Sequence, residues 1–200
     1  LGLEAAGVAF DAQGVTVDRH LKTSNRRVFA VGDATGQGGA THAASYHAEI
    51  VLRRILFRKR AAVMPERIPR VLYADPEIAS IGLSEEEALR RFRNVRILRW
   101  PVAENDRARA DGDTEGLIKL VVARDGRILG CGVAARGAGE LIAPWTLAIS
   151  HGLKAQDMFA AIAPYPTLSE ISRRVAAGIY ADTMASGWTK RVAAFLRRFG

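Results

Sequence analysis

The apolar run Val28-Phe29-Ala30-Val31 stops at Gly32-Asp33, and this junction constrains the chain more than any other stretch. Its length and β-branched content predict a short buried strand. A glycine-rich loop follows, Gly36-Gln37-Gly38-Gly39. From Thr41 to Arg60 the residues Ala44, His47, Ala48, Val51, Leu52, Ile55 and Leu56 recur at three- and four-residue spacing, which predicts a helix. A strand ending in a carboxylate, then glycines, then a helix N-terminus is how an α/β sheet presents polar groups to a ligand at its carboxyl edge. Asp33, just past the strand, is placed to accept hydrogen bonds from sugar or ribityl hydroxyls. The glycines let backbone approach a ligand closely. A plain turn capping a strand fits the same Gly-Asp pair.

Upstream, Val8-Ala9-Phe10 and Val15-Thr16-Val17-Asp18 flank Gly14 as in a short hairpin. Downstream, the basic stretch Lys59 to Ile68 contains Pro65 and is followed by Pro69, which predicts a domain boundary, with residues 1–65 before it and 66–200 after it. The second part reads differently from the first. Val71-Leu72-Tyr73 is a strand, Asp75-Pro76 a turn, and a second short strand ends at Gly82. Ser84 and Glu87 stand at the cap and capping-box positions of a helix. Val95 to Val102 is a strand closed by Trp100-Pro101, and Ala103 to Ala110 is a polar connection. Gly116 to Arg124 alternates, with Ile118, Leu120 and Val122 on one face; Asp125-Gly126 is a hairpin turn and Arg127 to Ala134 the partner strand. Helices are predicted over Ala138 to Gly152, Lys154 to Ala161 and Leu168 to Ala181. The fold class is therefore α+β: an antiparallel sheet with flanking helices, preceded by the end of an α/β region.

Thr23-x-x-x-x-Val28-Phe29-Ala30-x-Gly32-Asp33 resembles the second FAD-binding motif of the pyridine nucleotide–disulfide oxidoreductase family, which includes dihydrolipoamide dehydrogenase, glutathione reductase and mercuric reductase. Tyr73-x-Asp75-Pro76-Glu77-x-Ala79-x-Ile81-Gly82-Leu83-Ser84-Glu85-x-Glu87-Ala88 resembles the opening of that family's dimerisation domain. The resemblance implies FAD held by Gly32 and Asp33 and by the backbone of Ala40, Thr41 and His42, where a helix N-terminus faces the flavin pyrimidine ring. Such an N-terminus suits the negative charge of reduced flavin. For His42 and His47 themselves, structural roles are the expectation. The resemblance further implies NAD(P)H bound outside this chain, a homodimer through the second domain, a role in cell redox homeostasis, and a small-molecule or disulfide electron acceptor.

Ala163-Pro164-Tyr165-Pro166-Thr167-Leu168-Ser169-Glu170 resembles the family segment His-x-His-Pro-Thr-x-x-Glu, whose second histidine is the acid/base and whose glutamate orients it. Here Ala163 and Tyr165 replace both histidines, so Tyr165 and Glu170 are the candidate catalytic pair, acting across the dimer against the partner's flavin. A phenol, with a reference pKa near ~10, is a poor base at neutral pH. Mercuric reductase carries a Pro-Tyr pair at this place, yet it ends in two adjacent cysteines, whereas this chain ends Arg197-Arg198-Phe199-Gly200. Neither dihydrolipoamide oxidation nor mercury reduction in the usual manner follows. The first Gly-x-Gly-x-x-Gly and the redox cysteine pair are not in these 200 residues. Together with the start at Leu1, this leads to the expectation of a C-terminal piece of a longer enzyme, inactive alone. The alternative is a non-catalytic dimerisation module with a vestigial flavin site.

The formal charge of +8 raises nucleic acid and anionic membranes as partners, but the arginines are spread widely and carry no nucleic-acid motif. A basic amphipathic tail, Trp188, Val192, Phe195, Leu196 and Phe199 with Lys190, Arg191, Arg197 and Arg198 around it, offers a weak membrane contact; packing on its own domain or on the dimer partner is more ordinary. The single cysteine, Cys131, excludes an intrachain disulfide and a cysteine metal cluster, fits a reducing cytoplasm, and reads as a core residue. No residue is assigned to a metal.

Overall fold

The computed structural model describes residues 1–36, 39–181 and 195–197. They fall into two compact units, Leu1–Ile68 and Pro69–Gly200.

The first unit is built from tied loops and one long helix, α1 (Thr41–Phe57). Its N-terminal turn is held by the Thr23-Ser24-Asn25 corner. Ser24 Oγ donates to the Gly7 carbonyl at 2.8 Å, and Asn25 Nδ2 to that of Ala6 at 2.7 Å. Phe10 and Val15 form a bridge, so the short hairpin is present. The expected strand at Val28–Val31 is not a strand. It is extended backbone with a single bridge, Phe29 to Lys22. A ladder needs partner backbone, and here the partner is only the Leu21–Thr23 bend, through Ala30 N–H to Leu21 and Thr23 N–H to Val28, both 3.2 Å. Gly32–Thr35 then forms a 3-10 turn.

α1 is three residues shorter than its periodicity predicts. It ends at Phe57 because Arg58 adopts a left-handed φ of 52°. Its buried positions are Ala43, His47 and Ile50, on the half that meets the Gly32–Thr35 turn. The predicted apolar stripe continues through Leu52, Ile55 and Leu56, but these are exposed.

The second unit is a five-stranded antiparallel sheet of order β1-β2-β5-β4-β3, with β1 Arg70–Leu72, β2 Ile78–Gly82, β3 Val95–Pro101, β4 Leu117–Ala123 and β5 Ile128–Ala134. The alternation of β4 sets which way the sheet faces. Ile118, Leu120 and Val122 are wholly buried. They lie in one core with Leu141 of α4 (Ala138–Leu141), Trp145 of α5 (Ala143–His151) and Ile171 and Val175 of α7 (Glu170–Ala177). Pro144 explains why the predicted helix over 138–152 breaks at Ile142. It lies in the first turn of α5, where its missing N–H costs nothing. α6 (Ala155–Ala160) packs on α7.

On the opposite face, Val121, Ala123 and Leu129 pack with Leu83 and with Ala88 of α2 (Glu85–Arg91). α2 has the predicted capping box: Glu87 N–H donates to Ser84 Oγ at 3.2 Å, and Ser84 N–H to the Glu87 carboxylate at 2.9 Å. Beyond α2 this face opens into a groove of about 360 Å³ whose lining includes Ser80, Gly82, Leu117, Lys119, Gly132 and Ala134.

The predicted polar connection over 103–110 contains a helix, α3 (Asp106–Asp111). Asn105 caps it, accepting from Ala108 N–H, and Gly112 stops it in the left-handed region. Its sequence, Asp-Arg-Ala-Arg-Ala-Asp, buries only Ala108 and so carries no apolar period to read.

Candidate functional site

Each unit presents one cluster of the predicted residues, and they are described separately.

In the first unit the Gly-Asp turn is fixed from beneath. Gly32 has φ 60°, and a Cβ built on it would lie 2.8 Å from Ala44 Cβ, so glycine is required by both conformation and space. Its N–H donates to Nδ1 of His47 at 3.2 Å. That bond needs an unprotonated Nδ1, and burial pushes the His47 pKa down, which keeps the ring neutral. His47 is therefore structural, as expected, and its role is specific, because it anchors the residue before Asp33. The Thr35 hydroxyl closes the turn by donating to the Gly32 carbonyl at 2.8 Å.

Asp33 is exposed at the surface of this turn. Gly39 lies beside it: a Cβ there would stand 3.8 Å from the carboxylate. α1 starts two residues later with Ala40 as its N-cap, a residue whose own side chain makes no cap bond. Thr41 and His42 form the exposed first turn. The structure thus brings Gly32, Asp33, Ala40, Thr41 and His42 to one end of one helix. Chemically this is a carboxylate acceptor next to main-chain donors with a positive dipole end.

In the second unit, the segment Ala163–Glu170 leads into α7. Tyr165 is 68% exposed, and its hydroxyl donates to Asp106 Oδ2 at 3.1 Å. The Asp106 carboxylate holds the phenol above its ordinary pKa through that bond and through charge, Glu170 adds to the effect and Arg174 opposes it. Glu170 opens α7, with its side chain 12% exposed, and pairs with Arg174 at 2.8 Å. The two predicted residues therefore have different partners: the phenol bonds Asp106, and Glu170 pairs with Arg174. The Thr167 hydroxyl donates to the Pro164 carbonyl at 2.6 Å, folding the segment on itself.

Sequence reasoning missed Asn105 and Asp106. Asn105 is buried; its Oδ1 accepts the Ala108 N–H at 3.0 Å and its Nδ2 donates to the Thr167 carbonyl at 3.1 Å. One side chain thus both starts α3 and pins the Tyr165 segment. The available signal was local: an Asn at a cap position, with Gly112 closing the turn.

Cys131 is buried, and burial pushes its thiol well up, so it is an inert core residue. Among the described residues no three His, Cys, Asp or Glu side chains converge as for a metal ion. Nor is any helix among them long and apolar enough to cross a membrane. Of the basic tail, only residues 195–197 lie within the described part, so its packing stands outside it.

A helix-backed antiparallel sheet, in a chain that also carries a Gly-Asp turn ahead of a long helix, defines an α+β domain of the flavoprotein reductase class. The chain belongs to the pyridine nucleotide-disulphide oxidoreductase family, whose dimerisation-domain profile matches residues 68–176. It is 37% identical over 178 residues to dihydrolipoyl dehydrogenase of Geobacillus stearothermophilus, covering 88% of this chain and 38% of that protein. It is 34% identical over 172 residues to mercuric reductase of Bacillus cereus, covering 85% of this chain and 27% of that protein. Among solved structures, the HOCl-induced flavoprotein disulfide reductase RclA of Escherichia coli superposes with a TM-score of 0.81 at 26% identity, over 88% of this chain and 41% of its own. The chain thus spans well under half the length of these relatives.

Proposed function

We propose that these 200 residues serve as the C-terminal share of an FAD-dependent, NAD(P)H-linked oxidoreductase that works as a homodimer. The observation that carries the reading is the Asp33–α1 junction. Its exposed carboxylate, the Cβ-free Gly39 beside it and a helix start whose N-cap is an alanine fit a ligand with hydroxyls and a developing negative charge. Gly32 and Asp33 would hold FAD together with the Ala40–His42 main chain. When bound, the flavin would supply the passage of electrons from nicotinamide to an acceptor.

The chain's own contribution is to orient and exclude. His47 fixes Gly32, and so the direction of Asp33. The second unit supplies the dimer contact, and across it Tyr165 and Glu170 would offer a hydroxyl and a carboxylate at the partner's flavin. A neutral phenol is no strong base, so the reading favours a disulfide or another small electron acceptor over a reaction led by one.

The test is an anaerobic NADH and NADPH titration of the full-length polypeptide that carries this chain, followed in the visible spectrum. Bound flavin that bleaches, and is lost in Asp33→Ala, supports the reading. A long-wavelength thiolate-to-flavin band adds a redox disulfide. A protein without flavin overturns the reading in favour of a dimerisation module. NAD(P)H oxidation by the 200 residues alone overturns it in the other direction, because the chain would then be more than a share of the enzyme.

A further inference from the structure

We propose that Asp106 is a positioning residue for Tyr165: it accepts the phenol's hydrogen bond, fixes the direction of the hydroxyl, and leaves the oxygen's lone pairs as the face offered to substrate. This deepens the proposed function and rests on it only for the identity of the reaction.

The argument begins with connectivity. Asn105 and Asp106 are neighbours in sequence, and each grips one end of the short run Tyr165-Pro166-Thr167. Asn105 Nδ2 donates to the Thr167 carbonyl at 3.1 Å, and Asp106 Oδ2 accepts from the Tyr165 hydroxyl at 3.1 Å. The first tie is part-buried, anchored in the buried Asn105, and the second is exposed. The more protected one fixes the backbones relative to each other, so the exposed one forms between groups already in place. Asn105 is itself held because its carbonyl oxygen caps α3. A surface phenol–carboxylate bond between two mobile side chains would be worth little; one whose backbones are pinned loses less entropy on forming.

The chemistry follows from the count of donors. A phenol has one O–H. Committed to Asp106, it is not available to an incoming group, which meets lone pairs instead. Tyr165 then accepts a hydrogen bond from a substrate or product that carries a donor, such as a thiol S–H or a hydroxyl O–H. The charged groups around it are Asp106 on α3 and Glu170 and Arg174 on α7. Two carboxylates against one guanidinium disfavour an anionic acceptor at this point.

The experiment has two arms. In the first, the chain is labelled with 13Cζ-tyrosine and titrated by NMR, with Tyr165 assigned from Tyr165→Phe. The wild-type Tyr165 midpoint is expected above the ordinary tyrosine value, falling toward it in Asp106→Asn. Asp111→Asn, which alters the far end of α3, leaves it in place. An unchanged midpoint in Asp106→Asn overturns the pairing, and Asp106→Ser repeats the test should the Asn variant fold poorly. In the second arm, the full-length protein carrying Asp106→Asn is followed by stopped flow. A several-fold slower oxidative half-reaction with unchanged flavin reduction by NAD(P)H supports the positioning role. Equal effects on both halves, or on neither, overturn it. The first arm involves no flavin, so a coupled Tyr165 in a flavin-free protein sinks the redox reading and leaves the pairing intact.

Discussion

Replacing Asn105 separates the two roles of that side chain. Asn105→Ala removes the α3 cap, which costs about 1 kcal/mol. It also removes the part-buried bond to the Thr167 carbonyl, about 1 kcal/mol more, and leaves that oxygen without its partner. The sum is about 2 to 3 kcal/mol. Asn105→Ser keeps a good cap but cannot reach Thr167, so it costs about 1 kcal/mol less than alanine. Trp145 lies in the core of the second unit and Trp100 packs against it, so tryptophan fluorescence in urea follows that unit. With an m value of about 2 kcal/mol per molar urea, alanine should lower the midpoint by about 1 M and serine by about half of that. Hydrogen exchange at Ile171 and Ser172, whose N–H groups bond Leu168 and Ser169, should quicken in both variants, because both release the segment. If serine is as destabilising as alanine, the cap is not what Asn105 provides to α3. If alanine costs less than about 0.5 kcal/mol, the Asn105–Thr167 tie does not hold and the positioning argument built on it fails.

Two further outcomes follow from the geometry. In β5, Gly130→Ala would drive a Cβ to within 2.0 Å of the Leu83 carbonyl oxygen, whereas Gly132→Ala meets nothing within 4 Å. Urea midpoints should show the first destabilised by about 3 kcal/mol and the second within about 0.5 kcal/mol of wild type; equal midpoints would refute the account. In the first unit, burial depresses the folded pKa of His47 below its ordinary 6.5. The unfolded chain then takes up a proton that the folded chain refuses, so stability is full above about pH 6.5 and falls as pH drops below it. His47→Gln should flatten that slope in thermal melts read at a series of pH values, and a slope unchanged by the substitution would point to another group.

Much of the second unit was legible in the sequence because its signals are local. Ser84 and Glu87 form the capping box at their expected spacing, and Gly152 stops α5 as a left-handed residue. Asp125-Gly126 joins β4 to β5, and the alternation of β4 identified Ile118, Leu120 and Val122 as a face. What failed depended on partners. Val28–Val31 has strand composition but too little neighbouring backbone to form a ladder. Leu52, Ile55 and Leu56 keep helical period with nothing of this unit over them. At the site, the one-dimensional reading stopped at Tyr165 and Glu170, both within a recognisable segment. Asp106 lies fifty-nine residues from Tyr165, and no spacing rule connects them. The sheet and the Asn105 tie bring those two stretches together.

The strand order also governs how the second unit comes into being. β3, β4 and β5 pair with their neighbours in sequence, whereas β2 pairs with β5, Ser80 facing Gly132. The β1–β2 hairpin is therefore made before β5, the strand it leans on. A two-stranded hairpin is marginal alone. Ala79 and Ile81, buried in the finished sheet, wait uncovered until β5 follows, while the later meander closes through short loops. The first residues of this unit to be made are thus the last to be secured, and the interval between is when a nascent chain is open to proteases and to pairing with its neighbours.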